Sequence, residues 1–174
     1  MKSDAKKISF CGVSGALSIV ILFLASITGI GTFAGPVLAS VVLTIVLCEY
    51  KRRAAVLLYF TVSILSIIIM PDRELAVAYI CLAWYPVIRD LISKIRYRLI
   101  RILLKSLVYC VSIGLFYIIV LKILGFDYAS ERLMATINIV LFLGGAFAFF
   151  LMDLVHGRIA LLWAIKWRKK LLQK

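Results

Sequence analysis

The stretch ISFCGVSGALSIVILFLASITGIGTFAGPVLASVVLTIVLC, residues 8–48, contains no charged side chain. A membrane-spanning helix needs about 20 consecutive apolar residues, so this run is long enough for two helices. Three glycines and a proline interrupt it between residues 29 and 36, and these residue types favour a turn. The stretch therefore predicts two transmembrane helices, near 8–28 and 35–48, joined by a short loop.

The whole chain has the composition of a membrane protein. Of its 174 residues, 64% are hydrophobic, and its mean hydropathy is +1.10, whereas soluble domains are about half apolar. The apolar run after MKSDAKK has no convincing small-residue cleavage site. We therefore expect a retained first helix rather than a cleaved signal peptide.

Four more apolar segments follow, near residues 54–70, 75–88, 103–124 and 133–152. Asp72 stands where its carboxylate can cap the fourth helix, and Pro86 removes a backbone hydrogen bond, which predicts a kink. Arg89 follows the short uncharged part of this helix, so we expect its side chain to extend to water at the interface. The predicted fold class is all-α, a polytopic membrane bundle of six transmembrane helices forming a single domain, 1–174.

Basic residues concentrate in segments that six spans would place on one side of the membrane. The N-terminus, the 49–53 turn, the basic loop 89–105 and the tail from Asp153 hold 18 of the 21 basic residues. The other three are Arg73, Lys122 and Arg132. Because basic residues are retained on the cytoplasmic side, both termini are predicted to be cytoplasmic, in a bacterial plasma membrane.

This topology also accounts for the basic clusters without nucleic acid, and no nucleic-acid partner is expected. Apolar residues recur at three- and four-residue steps through 89–105, which is typical of a basic amphipathic helix at an anionic leaflet or in a partner's groove. The tail 159–174 has the same character, with Trp163 and Trp167 as interface anchors.

No motif in the chain indicates an enzyme, a cofactor or a metal site. It lacks a phosphate-binding glycine loop, GxSxG and HExxH. The four cysteines lie in apolar segments and form no CxxC pair. His156 lies three residues after Asp153, and two interpretations stay open: a proton-shuttling pair, or two residues that end the sixth helix in the headgroup region.

Small residues form a flat face on the first helix at Gly12, Gly15 and Ala16. Such faces let helices approach closely in lipid, where van der Waals packing drives association. The face predicts either a docking surface for a partner or close packing within the bundle.

A few polar and aromatic residues fall in the halves of the spans predicted to face outward: Thr32, Tyr79, Trp84, Tyr117 and Asn138. Ligand sites are mostly apolar with a few placed polar groups. We therefore predict that these five residues contact a small-molecule substrate, although helix-to-helix hydrogen bonding is an alternative for Asn138, as is an interfacial belt for the aromatics.

The chain resembles the substrate-binding S components of energy-coupling factor transporters. The resemblance lies in six short spans, in the small-residue face after a lysine pair (KKISFCGVSGALS) and in a glycine-rich first outer loop. The segments PDRELAVAYICLAWYPVIRDLI and FAFFLMDLVHGRI are similar to stretches of S-component-like bacterial proteins. The resemblance implies capture of a vitamin-like micronutrient and docking through the first helix onto a transmembrane coupling subunit driven by two cytoplasmic ATPases.

Two other functional classes are alternatives to this expectation. A non-transporting scaffold, like the small rod-shape morphogenesis proteins, would also need only spans and basic cytoplasmic surfaces. A lipid-modifying enzyme would need acids or histidines within the membrane, and every charged residue of this chain lies at or near a predicted span end.

Overall fold

The computed structural model describes residues 2–28, 34–123 and 149–163. Its helices are α1 (Lys2–Thr28), α2 (Ala34–Ile69), α3 (Arg73–Leu82), α4 (Tyr85–Ser93) and α5 (Arg98–Ile123). A further helical stretch covers 149–162, and we call residues 149–163 the 149–163 segment. These described ranges contain no β-strand, which confirms the predicted all-α fold class.

Four helices in the described residues are long and apolar enough to cross a membrane: Ala5–Thr28, Ala34–Ile69, Arg73–Ser93 and Leu99–Phe116. Large apolar side chains on their outer surfaces are exposed, including Val13, Leu24, Leu57 and Ile68. Exposed apolar surface of this extent is typical of contact with lipid. These helices indicate a membrane protein. The total of six spans and the side on which the termini lie remain predictions.

A single residue, Lys51, interrupts α2. It has φ 65° and ψ −179°, a conformation that is essentially restricted to glycine. A straight helix of 36 residues would measure about 54 Å, far more than the roughly 30 Å of the hydrocarbon core. The break at Lys51 lies within the charged turn predicted at 49–53.

Contacts with α1 give the direction of each half of α2. Near one end of α1, a Cβ placed on Gly35 would lie 2.5 Å from the Ala25 Cβ, so the helices approach closely there. Near the other end, the Tyr50 ring packs on Phe10 with centroids 5.5 Å apart. Beyond Lys51 the chain returns, until the backbone N–H of Asp72 donates to a serine hydroxyl in the last turns of α1 at 3.3 Å. The two halves of α2 are therefore antiparallel.

The predicted fourth span consists of two short helices. Asp72 caps α3 as predicted, because its Oδ1 accepts from the backbone N–H of Glu74 at 3.0 Å. The helix then ends at Leu82, and α4 begins at Tyr85 with Pro86 in its first turn. Proline is tolerated in a first turn because its missing N–H has no intrahelical partner there. The interruption is thus a turn at Ala83 and Trp84, which keep right-handed helical dihedrals, just before the predicted kink at Pro86.

The fifth helix begins at Arg98 rather than near residue 103. The basic stretch 89–105 is therefore divided between the end of α4, a short connection and the first two turns of α5. Its apolar positions Leu99, Ile102 and Leu103 are exposed, where lipid or a partner can cover them.

The core has two parts. One lies between α1, α2 and α3 and includes Leu22, Leu43, Val62, Leu75 and Tyr79. The other joins α4, α5 and the 149–163 segment through Tyr85, Ile92, Val108 and Met152. This second part surrounds the polar residues described next.

Candidate functional site

Asp153 lies at the meeting point of three helices. Its Oδ1 accepts hydrogen bonds from the Tyr85 hydroxyl at 2.6 Å and from Arg89 Nε at 2.7 Å. Its Oδ2 accepts from Lys105 Nζ at 2.6 Å. These four residues form what we call the Asp153 centre, and they join α4, α5 and the 149–163 segment.

The Asp153 centre carries more positive than negative charge. The side chains of Asp153, Arg89 and Lys105 are between 22% and 25% exposed, and Tyr85 is buried. Hydrogen bonds in which at least one partner is ionised are shorter and stronger than neutral ones, which agrees with the three short distances to the Asp153 carboxylate. Two cations share one carboxylate, so the centre has a formal charge of +1.

The Asp153 centre corrects two expectations from the sequence. Arg89 was expected to extend to water, and Asp153 to end its helix in the headgroup region. The helix continues past Asp153 to residue 162, so Asp153 does not end it, and Arg89 pairs with Asp153 rather than facing only water. The position of both residues relative to the headgroup region stays a prediction. Pairing the carboxylate with two cations offsets part of the cost of removing these charges from water.

His156 is fully buried one turn beyond Asp153. Its Nδ1 lies 2.6 Å from the Met152 carbonyl oxygen, which can only accept, so Nδ1 carries a hydrogen. Its Nε2 lies 2.9 Å from the Ser40 hydroxyl, a contact that ties the 149–163 segment to α2. Within the described residues no hydrogen bond joins His156 to Asp153, so the direct contact that a proton-shuttling pair would use is absent there.

A pocket of about 180 Å³ opens beside these residues. It lies between the first half of α2, α4 and the 149–163 segment. The polar side chains that line it are Thr44, Cys48, Arg89, Asp90, Ser93 and His156. Asp90 Oδ2 is shared by Arg52 at 3.3 Å and Lys94 at 3.4 Å, so basic side chains also surround this second carboxylate.

Gly157 makes room for the Arg89 guanidinium. A Cβ at this position would lie 2.6 Å from Arg89 Nη2 and 3.6 Å from Cζ. The absence of a side chain at Gly157 lets Nη2 lie close to the helix while Nε donates to Asp153. Arg89 also lines the pocket.

A second concave region, which we call the α1 groove, runs between α1 and the second half of α2. It consists of two adjoining cavities of about 470 and 510 Å³. The predicted docking residues Gly12, Gly15 and Ala16 all line it. A Cβ on Gly15 would lie 3.1 Å from a Leu58 methyl carbon, whereas a Cβ on Gly12 would meet nothing within 4 Å. Gly15 is therefore used for internal packing, and Gly12 is open.

The predicted substrate residues are only partly within the described ranges. Thr32 and Asn138 lie outside them, as does the side chain of Tyr117 on α5. Tyr79 is 1% exposed, and its ring stacks on Tyr59 with centroids 6.2 Å apart. Substrate contact by these residues stays a prediction.

Trp84, the fifth predicted substrate residue, lies in the break between α3 and α4. Its Nε1–H donates to the Cys81 carbonyl oxygen at 2.5 Å and lies 3.1 Å from the Ser112 hydroxyl. The indole thereby fixes the break against α5.

The two concave regions differ in chemistry, since charged and polar side chains, among them Arg89 and Asp90, line the pocket, whereas the α1 groove is almost entirely apolar. Within the described residues, no group of three or more His, Cys, Asp and Glu side chains could hold a metal ion. Comparison of the chain with protein-family models, curated proteins and solved structures finds no match.

Proposed function

We propose that this chain is a substrate-binding membrane subunit for uptake of a vitamin-like micronutrient. It docks through α1 onto a transmembrane coupling subunit, and two cytoplasmic ATPases that act on that subunit energise uptake. The observation that carries this proposal is the α1 groove, an apolar concave surface that the described parts of the chain leave open at Gly12.

The groove fits a transmembrane helix of a partner. Small residues at a helix interface let two backbones approach closely, and this packing is the main source of helix association in lipid. Gly12 and Ala16 are one turn apart and exposed, with Thr61 of α2 on the opposite wall. Apart from Lys7 at one end, the lining carries no charge, so the occupant is apolar.

The described residues favour an external source of energy. Proton- or sodium-coupled transporters use ionisable residues within the membrane. Asp153 is already engaged by two cations and a hydroxyl group. A subunit of this kind would depend on partners that hydrolyse ATP.

Replacing Gly12 and Ala16 with leucine tests the docking surface. The double variant fills the α1 groove without a clash at Gly12. We expect it to insert and fold, but to lose co-purification with the coupling subunit and with the two cytoplasmic ATPases. Gly114→Leu is the matched control, because a Cβ at this α5 glycine also meets nothing within 4 Å. Retention of the complex by the double variant would contradict docking through α1.

A non-transporting membrane scaffold is the second candidate, and the burial of Tyr79 favours it. A side chain that is stacked in the core serves packing without any ligand. Native mass spectrometry of the gently purified chain separates the two candidates. A retained small molecule supports the uptake subunit, and a chain that is empty at every attempt supports the scaffold.

A further inference from the structure

Basic side chains outnumber carboxylates in the ion pairs around the pocket. Among the described residues, Arg52, Arg89, Lys94 and Lys105 pair with the carboxylates of Asp90 and Asp153. Arg89 and Asp90 line the pocket itself, whereas Arg52 and Lys94 are 40% and 67% exposed. Charge that is removed from water is costly unless it is paired. A further negative group in or beside the pocket would offset this excess.

Arg89 presents the geometry that recognises such a group. Its Nε donates to Asp153, its Nη2 lies beside Gly157, and the side chain lines the pocket. The planar guanidinium binds carboxylate and phosphate oxygens through two parallel N–H groups. His156, by contrast, has both ring nitrogens occupied and serves to position the wall of the pocket.

The size and position of the pocket limit the kinds of ligand that it can bind. About 180 Å³ is less than the roughly 300–1,000 Å³ of sites for drug-sized molecules, so a single small group fits. The pocket lies at the end of the bundle where Phe10, Tyr50 and Trp163 meet, which is the end predicted to face the cytoplasm. Basic pockets between transmembrane helices on that side bind phospholipid headgroups.

We infer that the pocket between α2, α4 and the 149–163 segment binds a phosphate-bearing anion, held chiefly by the Arg89 guanidinium. The phosphate can belong to the headgroup of an anionic lipid in the leaflet or to a free phosphate ion. The site uses no residue of the α1 groove, and it does not rest on the proposed uptake function.

Two measurements on the full chain test this inference. In the first, the melting temperature in neutral detergent is followed while inorganic phosphate replaces chloride at constant ionic strength. In the second, native mass spectrometry compares lipid retained from nanodiscs of phosphatidylcholine with and without phosphatidylglycerol. A phosphate-dependent rise identifies a free ion as a ligand, retained phosphatidylglycerol identifies the lipid, and either result supports the site.

The variants assign the binding to Arg89. We expect Arg89→Gln to weaken binding about tenfold or more, the effect of losing hydrogen bonds to a charged group. Arg53→Gln removes the same charge from an exposed position near the Lys51 break and should bind as the wild type does. If Arg89→Gln does not fold, Gly157→Ala keeps every charge but displaces Nη2, and it should weaken binding in the same direction.

Two results would overturn the inference. One is that the melting temperature of the wild-type chain does not change with phosphate and that the chain retains no more phosphatidylglycerol than phosphatidylcholine. The other is an equal loss of binding in Arg53→Gln and Arg89→Gln, because the attraction would then come from surface charge alone.

Discussion

Removing the charge of Asp153 should destabilise the bundle more than any other single carboxylate-to-amide change in the described residues. Asp153→Asn keeps the size of the side chain and one carbonyl oxygen, but it leaves Arg89 and Lys105 without their carboxylate. Breaking a buried ion pair by removing one partner costs about 3–5 kcal/mol. Because the three charged side chains are 22–25% exposed, the two cations can turn partly to water, and we expect a loss of about 3 kcal/mol.

This loss can be measured by thermal unfolding of the protein in detergent or nanodiscs. For a chain of this length, 1 kcal/mol corresponds to about 2–4 °C, so we expect the melting temperature to fall by about 6–12 °C. Asp90→Asn is the matched control. Its partners lie at 3.3 and 3.4 Å, and its side chain is 37% exposed, so its ion pairs contribute only about 0–1 kcal/mol.

A second substitution separates charge from packing. Adding Lys105→Met to Asp153→Asn removes one of the two uncompensated cations, so the double variant should melt above Asp153→Asn alone. The coupling between neighbouring residues in one network is read from such a cycle. Two results would refute the charge argument. One is an equal fall in melting temperature for Asp153→Asn and Asp90→Asn. The other is a double variant whose melting temperature falls by the sum of the falls measured for Asp153→Asn and Lys105→Met alone.

Two further predictions concern the backbone and the topology. Lys51→Gly should stabilise the protein by about 1 kcal/mol, because only glycine adopts this conformation without strain, whereas Lys51→Ala should not, and a gain from alanine would assign the effect to the lysine side chain instead. Single cysteines at Arg73 and Arg96, in a chain whose four native cysteines are changed to alanine, should react differently with an impermeant reagent added to intact cells. Labelling is expected at Arg73 and not at Arg96, and the reverse pattern would invert the predicted orientation.

The helices could be predicted from the sequence because their signals are local. An uncharged run of sufficient length, a charged turn and a capping Asp72 each act within a few residues of the position they determine. The break near Lys51 and the cap on α3 were found in this way. The start of α5 differs from the prediction, because the basic residues from Arg98 onward were assigned to a separate amphipathic stretch, whereas they are good helix formers and continue directly into the fifth span.

The Asp153 centre could not be predicted because its partners are far apart in the chain. Arg89 and Asp153 are separated by 64 positions, and each stands at the end of an apolar segment, where a charge normally faces water. One signal was available. An acidic and a basic residue, each next to a predicted span and on the same side of the membrane, can pair inside the bundle when the spans are neighbours. The sequence does not show which helices are neighbours, so it did not favour the Arg89–Asp153 pair over many other acid–base pairs.

The pocket and the α1 groove have no residue in common, so the two proposed interactions should be lost separately. The first half of α2 lines the pocket, and the second half lines the groove, with the Lys51 break between them. Gly12→Leu should therefore abolish co-purification of the coupling subunit while the phosphate-dependent rise in melting temperature persists. Arg89→Gln should do the opposite, because it leaves the apolar groove intact. If either variant lost both co-purification and the phosphate-dependent rise, the substitution would disturb the whole bundle. The assignment of co-purification to the groove, or of phosphate binding to the pocket, would then be wrong for that variant.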